Sequence, residues 1–149
     1  MKKLISIIFI VVIIIIIIVF VKYKEEQRVL KDIKKINNEF IIYEGRKIQI
    51  NTLNTLMNKA IQYNYDNNIE QDEKGNFLEN DTNSIKIYVE LPIDNTTVSM
   101  ERLLINKNQT GRTEKVEFAF SESLFEIKNI EYHNKTKQIK SITFVEIDN

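Results

Sequence analysis

The chain lacks cysteine and tryptophan, and it has one proline and three glycines among its 149 residues. Without cysteine there is no disulfide, no thiolate nucleophile and no cysteine-ligated metal centre. Three glycines are too few for a loop that cradles phosphate. No serine lies in a Gly-x-Ser-x-Gly elbow, which excludes that class of nucleophile. We therefore predict no cofactor, no catalytic residues and a chain that is not an enzyme.

Histidine and clustered carboxylates offer little more chemistry. His133 is the only histidine. We expect it in a hairpin turn as a solvated side chain, since a general base needs a pocket and an orienting partner. In the acidic loop, a calcium register that starts at Glu70 puts Lys74 at the fifth position, where an oxygen ligand is required. No metal site is predicted.

The charges balance over the whole chain but are unevenly placed. There are 21 basic and 21 acidic residues, for a formal net charge of zero. Residues 22–36 carry a net charge of +3, and the chain from residue 37 onward carries −5. A basic segment suits anionic headgroups, and an acidic C-terminal region argues against nucleic acid as a partner.

The most distinctive stretch is residues 4–21, which contain no charge and only one polar side chain, Ser6. As a helix rising about 1.5 Å per residue, it would cover roughly 27 Å, close to the ~30 Å of a bilayer's hydrocarbon core. The run is longer than the ~7–15 apolar residues of a secretory signal, and no small-x-small cleavage site follows it. We therefore expect an uncleaved transmembrane signal-anchor with the lipid bilayer as a partner.

This anchor divides the chain into a basic head (residues 1–3), a transmembrane helix (4–21), a basic amphipathic stalk (22–39) and a small domain (40–149). The positive-inside count favours a cytoplasmic C-terminal flank. A short Met-Lys-Lys head before a larger domain is instead typical of an anchor whose domain is exported. We expect a single-pass protein of the cell membrane with an extracytoplasmic domain.

Hydrophobic periodicity predicts an α+β domain, with one or two helices packed on an antiparallel sheet of about four strands that ends in a hairpin. The stalk helix should break at Asn37-Asn38. A second helix is predicted over residues 52–63, capped by Asn51 or Thr52. A polar loop over 65–84 should tuck Phe77 and Leu78 inward. Strands are predicted over 85–91, 116–120, 124–132 with a bulge near Lys128-Asn129, and 138–147, with a turn over 106–113 and residues 98–105 ambiguous between helix and strand.

A short motif, Phe40-x-x-Tyr43-x-Gly45, precedes the amphipathic helix that closes on Asn64. This arrangement resembles small single-span membrane proteins of low-GC Gram-positive bacteria, in which such a turn precedes an amphipathic helix and a late hairpin. Arg46-Lys47 departs from the small residues expected after the glycine. The resemblance implies the fold and no chemistry, because the group has no assigned activity.

These observations favour a membrane-anchored, non-enzymatic envelope protein whose domain contacts another envelope protein or the wall. Tyr43 and Tyr88 are candidates for an interaction surface, since tyrosine offers large contact area at small entropic cost. One alternative is a pilin-like assembly subunit, although the cleavage glycine and the glutamate of the pilin helix are missing. The other is an enzyme that uses scattered carboxylates.

Overall fold

The computed structural model describes residues 2–91, 96–103 and 122–147, with side chains from Phe9 onward. The chain divides into two compact units, Met1–Lys35 and Ile36–Asn149. The fold is α+β, with helices and a five-stranded mixed sheet. The elements in chain order are α1 (Lys2–Ile41), β1 (Ile48–Gln49), α2 (Ile50–Asp66), β2 (Lys86–Leu91), β3 (Thr96–Ser99), β4 (Leu124–Tyr132) and β5 (Ile139–Ile147).

None of the helices, within the part of the chain whose side chains are described, has an apolar stretch long enough to cross a membrane.

The first helix does not break at Asn37-Asn38 as predicted; α1 continues to Ile41. The Asn37 side chain lies against the second unit's closing hairpin. Its amide donates to the carbonyl of Lys137 at 2.9 Å, and its oxygen accepts from the backbone N–H of Ile139 at 2.9 Å. Because both polar atoms of this amide have partners, the side chain does not compete for the hydrogen bonds of the helical backbone. Such competition is the usual reason that asparagine ends a helix.

Helix α2 covers the predicted segment and extends beyond both of its ends. The cap prediction is wrong: Gln49 occupies the N-cap position and makes no side-chain capping hydrogen bond. The helix begins directly after the short strand β1, so its start is fixed by strand pairing. The buried stripe matches the predicted spacing and consists of Ile50, Leu53, Leu56, Met57, Ala60 and Asn64.

The sheet differs from the prediction in two respects: it has five strands instead of about four, and it is mixed instead of antiparallel. Its strand order is β1-β4-β5-β2-β3, and β2 pairs with β5 in parallel, with Lys86 opposite Ser141 and Val89 opposite Phe144. The other strand pairs among the described residues are antiparallel. A parallel pair needs a long crossover between its strands, and the periodicity of the strands carries no information on which of them are neighbours.

The closing hairpin is confirmed. Strand β4 pairs with β5 in antiparallel fashion, and the register shifts between Ile127 and Asn129, where the bulge was predicted. The segment over 98–105, which was ambiguous between helix and strand, contains both: β3 extends to Ser99, and residues 100–103 are helical. The predicted strand over 116–120 and the turn over 106–113 lie outside the described residues.

The loop between α2 and β2 is held by its own side chains. Asp72 accepts hydrogen bonds from the backbone N–H groups of Lys74 and Asn76. Phe77 is buried, as predicted, and its ring meets that of Tyr65 edge-on at 4.9 Å. The prediction for Leu78 is wrong, because its side chain is 45% exposed.

Helix α2 and strand β2 are joined by a buried amide. Asn64 is 0% exposed; its side-chain amide donates to the carbonyl of Ile85 at 2.7 Å, and its oxygen accepts from the N–H of Ile85 at 2.9 Å. Ile85 is itself fully buried. Asn64 therefore satisfies both backbone groups of the residue that precedes β2, where water cannot reach them.

We expect Asn64→Ala to lower the free energy of unfolding by about 3 kcal/mol, because it leaves a buried N–H and a buried C=O without partners. Urea denaturation of the full chain, followed by tyrosine fluorescence, measures the change. Asn58→Ala, which removes an exposed amide from the same helix, is the matched control and should stay within about 0.5 kcal/mol of the parent. Equal stabilities for the two variants would contradict this role for Asn64.

Candidate functional site

The structure does not bring Tyr43 and Tyr88 together. Tyr43 lies in the turn after α1 and packs, half-buried, against the hydrophobic core. Tyr88 lies in the middle of β2, where Ile87 and Val89 on either side of it point into that core. Side chains alternate along a strand, so Tyr88 faces the opposite side of the sheet. A role in an interaction surface stays a prediction for each of these two tyrosines.

Tyr88 belongs to a small polar network. Its hydroxyl donates to Glu79 Oε1 at 3.2 Å, and Glu79 Oε2 pairs with the Lys140 ammonium at 2.9 Å. Burial, followed by the negative charge of Glu79, raises the pKa of Tyr88 to about 12. The hydrogen bond from Lys140 lowers the pKa of Glu79 below its ordinary value. Tyr88 is therefore a neutral hydrogen-bond donor at physiological pH.

A buried ion pair lies close to this network. Lys86 and Glu101 meet at 2.7 Å with side chains only 7% and 2% exposed. The same carboxylate oxygen, Glu101 Oε1, accepts from the backbone N–H of Phe77 at 3.3 Å. Glu101 Oε2 has no hydrogen-bond partner among the described residues. The pair joins the 69–84 loop, β2 and the helical residues 100–103.

An open cleft lies beside the network, at the end of the sheet where β4 leads into β5. Its volume is about 550 Å³, which is within the ~300–1,000 Å³ range of small-ligand sites. We call it the hairpin cleft. Its lining is polar and comes from the loop before β2 and from the β4–β5 hairpin: Asn80, Asp81, Glu131, Tyr132, His133, Asn134, Lys135 and Lys140.

The loop wall of the hairpin cleft is fixed by Asn80. Its side-chain oxygen accepts from the backbone N–H groups of Thr82, Asn83 and Ser84, at distances of 3.0, 2.8 and 2.9 Å. In return, the Asn80 N–H donates to the Ser84 hydroxyl at 2.9 Å. An asparagine that gathers three successive amides in this way holds a tight turn without regular secondary structure.

The two walls are joined to each other by three further hydrogen bonds. Thr136 Oγ1 donates to the carbonyl of Thr82 at 2.6 Å, and the Gln138 amide donates to the carbonyl of Asn83 at 3.0 Å. The third involves His133 Nε2, which lies 2.8 Å from the carbonyl of Ser84. Because a carbonyl only accepts, Nε2 carries the proton. These bonds hold the walls in one arrangement.

The expectation of a solvated His133 is wrong. The residue does lie in the hairpin connection, but it is only 2% exposed. Its partner, Ser84, is 49 residues away in the chain, and no sequence pattern joins the two. With Nε2 committed to a carbonyl, that nitrogen is not free to act as a general base.

Each of the two lysines that line the hairpin cleft has a carboxylate partner. Lys140 pairs with Glu79, and Lys135 lies 3.6 Å from Asp81. Glu131 accepts from the Ser141 hydroxyl through Oε2 at 3.2 Å. Within the described ranges, no three His, Cys, Asp or Glu side chains lie close enough to hold a metal ion. The arrangement suits recognition of a polar ligand by hydrogen bonds.

Sequence reasoning missed the residues that line this cleft. The polar loop and the hairpin turn were both predicted, and each contains polar side chains, but nothing in either segment indicated that they meet. The pairing of β2 with β5 brings them together. If the parallel pairing of β2 with β5 had been predicted, the loop and the hairpin turn would have been expected to meet.

Comparisons with known proteins found no relative of this chain. No protein-family model matches the chain, and no curated protein and no solved structure gives a match. The resemblance carried by Phe40-x-x-Tyr43-x-Gly45 therefore stays a prediction.

We expect Glu79→Gln to lower the pKa of Tyr88 from about 12 toward 10, because it removes the nearest negative charge and leaves a neutral acceptor. Absorbance near 295 nm against pH, with a Tyr88→Phe variant subtracted, isolates this one tyrosine; the absence of tryptophan keeps the signal clean. Glu73→Gln, in the exposed part of the same loop, should leave the titration unchanged.

The raised pKa of Tyr88 also predicts how stability depends on pH. The unfolded tyrosine ionises near pH 10, whereas the folded one holds its proton until about pH 12. The stabilising contribution is thus complete below pH 10 and is lost as the pH rises through 12. Glu79→Gln should reduce this alkaline loss; an unchanged alkaline profile would contradict the assignment.

Proposed function

We propose that the chain is a membrane-anchored, non-enzymatic envelope protein whose C-terminal domain contacts another component of the envelope. The anchor is the apolar N-terminal segment, and the domain is the unit that begins at Ile36. In this proposal the protein crosses the membrane once, and the domain lies outside the cytoplasm.

One observation carries the proposal. Residues 9–21 are all apolar, and each of their side chains is 41% to 66% exposed. In the sequence this uncharged run begins at residue 4, which gives it 18 residues. Exposed apolar patches of more than a few hundred Å² are rare on proteins surrounded by water, and acyl chains are the environment that favours such a surface.

The end of the apolar run supports the same conclusion. The Lys24 ammonium lies 4.9 Å from the centre of the Phe20 ring. Tyr23, which is 58% exposed, adjoins this pair. Aromatic and basic side chains at the end of an apolar helix are typical of the boundary between acyl chains and headgroups. The six basic residues between 22 and 36 continue this pattern.

The second unit supports a binding role because it has its own core and a polar cleft whose two walls are joined by hydrogen bonds. Its buried residues include Leu53, Ile87, Phe125 and Phe144, each at most 1% exposed. In the hairpin cleft, each lysine has a carboxylate partner, and His133 Nε2 is committed to a backbone carbonyl. A carboxylate-dependent enzyme would instead need acidic groups that converge on one point.

The cysteine-free chain allows a direct test of anchoring and orientation. A single cysteine in place of Asn134, an exposed residue of the hairpin, should react with a membrane-impermeant maleimide in intact cells. A cysteine in place of Lys3, in the N-terminal head, is the matched control and should react only after permeabilisation. The full chain should also stay in the membrane pellet after carbonate washing.

The opposite labelling pattern would place the domain in the cytoplasm and overturn the external location while leaving the anchor in place. Release of the full chain by carbonate would overturn the anchor itself. A mature N-terminus beyond residue 21, read by mass spectrometry, would show cleavage and would contradict the proposal as well.

A further inference from the structure

Hydrogen bonds between its two walls hold the hairpin cleft in one shape. Its two walls are tied by the hydrogen bonds from Thr136 to Thr82, from Gln138 to Asn83 and from His133 to Ser84. A site whose walls are held in place loses little conformational entropy on binding, and this favours recognition of small or flexible ligands. The geometry is therefore suited to a ligand that makes only a few contacts with the protein.

The charges in the cleft disfavour an ionic ligand. Lys140 is neutralised by Glu79 at 2.9 Å, and Lys135 lies 3.6 Å from Asp81. The four charged residues of the lining comprise two lysines and two carboxylates, Asp81 and Glu131. The lining is therefore neutral overall, and an anion would have to compete with the carboxylate that each lysine already contacts.

Three uncommitted groups remain in the cleft. Tyr132 is 43% exposed, and neither its hydroxyl nor its ring has a partner among the described residues. The exposed Asn134 amide is likewise without a hydrogen bond in that part of the chain. Glu131 uses Oε2 for Ser141, which leaves Oε1 as an acceptor. The lining of the cleft therefore offers an aromatic ring, an amide and a carboxylate oxygen.

We infer that the hairpin cleft binds a neutral, hydroxyl-rich ligand, namely an oligosaccharide. A sugar ring has an apolar C–H face that can lie on the Tyr132 ring. Its hydroxyls both donate and accept, so they match the Asn134 amide and the Glu131 carboxylate. The inference deepens the proposed function, since an external domain would meet the glycan of a cell envelope.

Titration calorimetry on the full chain in detergent, with chitotetraose as the probe, tests the inference. We expect saturable binding that Tyr132→Ala weakens roughly tenfold, in line with the loss of one aromatic contact. Tyr132→Phe keeps the ring and should change the affinity less than threefold. Asn134→Ala, a second variant in an exposed turn, should weaken binding several-fold.

Two controls remove the same groups elsewhere. Tyr65→Ala removes a tyrosine that is 56% exposed, and Asn58→Ala removes an exposed amide from α2. Both should bind chitotetraose as the parent does. Circular dichroism of every variant establishes that it is folded.

No binding of chitotetraose would overturn the inference, as would binding that is equal in the cleft variants and the controls. Binding of the zwitterionic tetrapeptide Ala-Glu-Lys-Ala in place of the sugar would also overturn it and would assign the cleft to peptide. Because calorimetry in detergent does not depend on membrane topology, failure here is distinct from failure of the proposed anchor or orientation.

Discussion

The parallel pairing of β2 with β5 is the constraint on which the rest of the domain depends. Strand β5 lies between β4 and β2, so it carries the hydrogen bonds that join the hairpin to the first half of the sheet. The segments that precede two parallel strands necessarily meet at the same end of a sheet. Here those segments are residues 80–84 and 133–137, and together they form most of the hairpin cleft. The cleft is thus a consequence of strand order.

Two asparagines that bind distant backbone groups mark the places where this arrangement is made specific. The fully buried Asn64 binds both backbone groups of Ile85, and the half-buried Asn37 binds the backbone of the hairpin at Lys137 and Ile139. Apolar contacts tolerate small shifts of register, but an amide with fixed backbone partners does not, because a shifted partner leaves a polar group unsatisfied. These two asparagines hold α2 and the end of α1 at defined positions.

The Lys86–Glu101 pair is a third polar contact of this kind, and both of its charged side chains are buried. Burying two charges costs several kcal/mol per ion, and the attraction between them recovers much of that cost. The pair joins β2 to the helical residues 100–103, and Glu101 also accepts from the Phe77 backbone. The pair contributes to the specificity of the fold, because it fixes the point at which a loop, a strand and a helical segment meet.

Much of the fold was predictable from the sequence because it depends on local patterns. The stripe of α2, the alternation of β4 with its bulge, and the final hairpin follow from side-chain periodicity and turn chemistry. Two of the errors have a common origin. Asn37 was expected to end a helix, and His133 was expected in solvent, because each was judged without its distant partner. The contact of Tyr88 with Glu79 was likewise not foreseen.

The sequence by itself determined which kinds of site the composition excludes. It also determined the uncharged apolar run and the local elements, since both depend on residues that are close along the chain. Only the tertiary structure decided that β2 and β5 are parallel neighbours, that His133 is buried against Ser84, and that the hairpin cleft exists. The physical reason is that these features arise from contacts between residues about 50 positions apart, and the energy of such contacts leaves no periodic trace in the sequence.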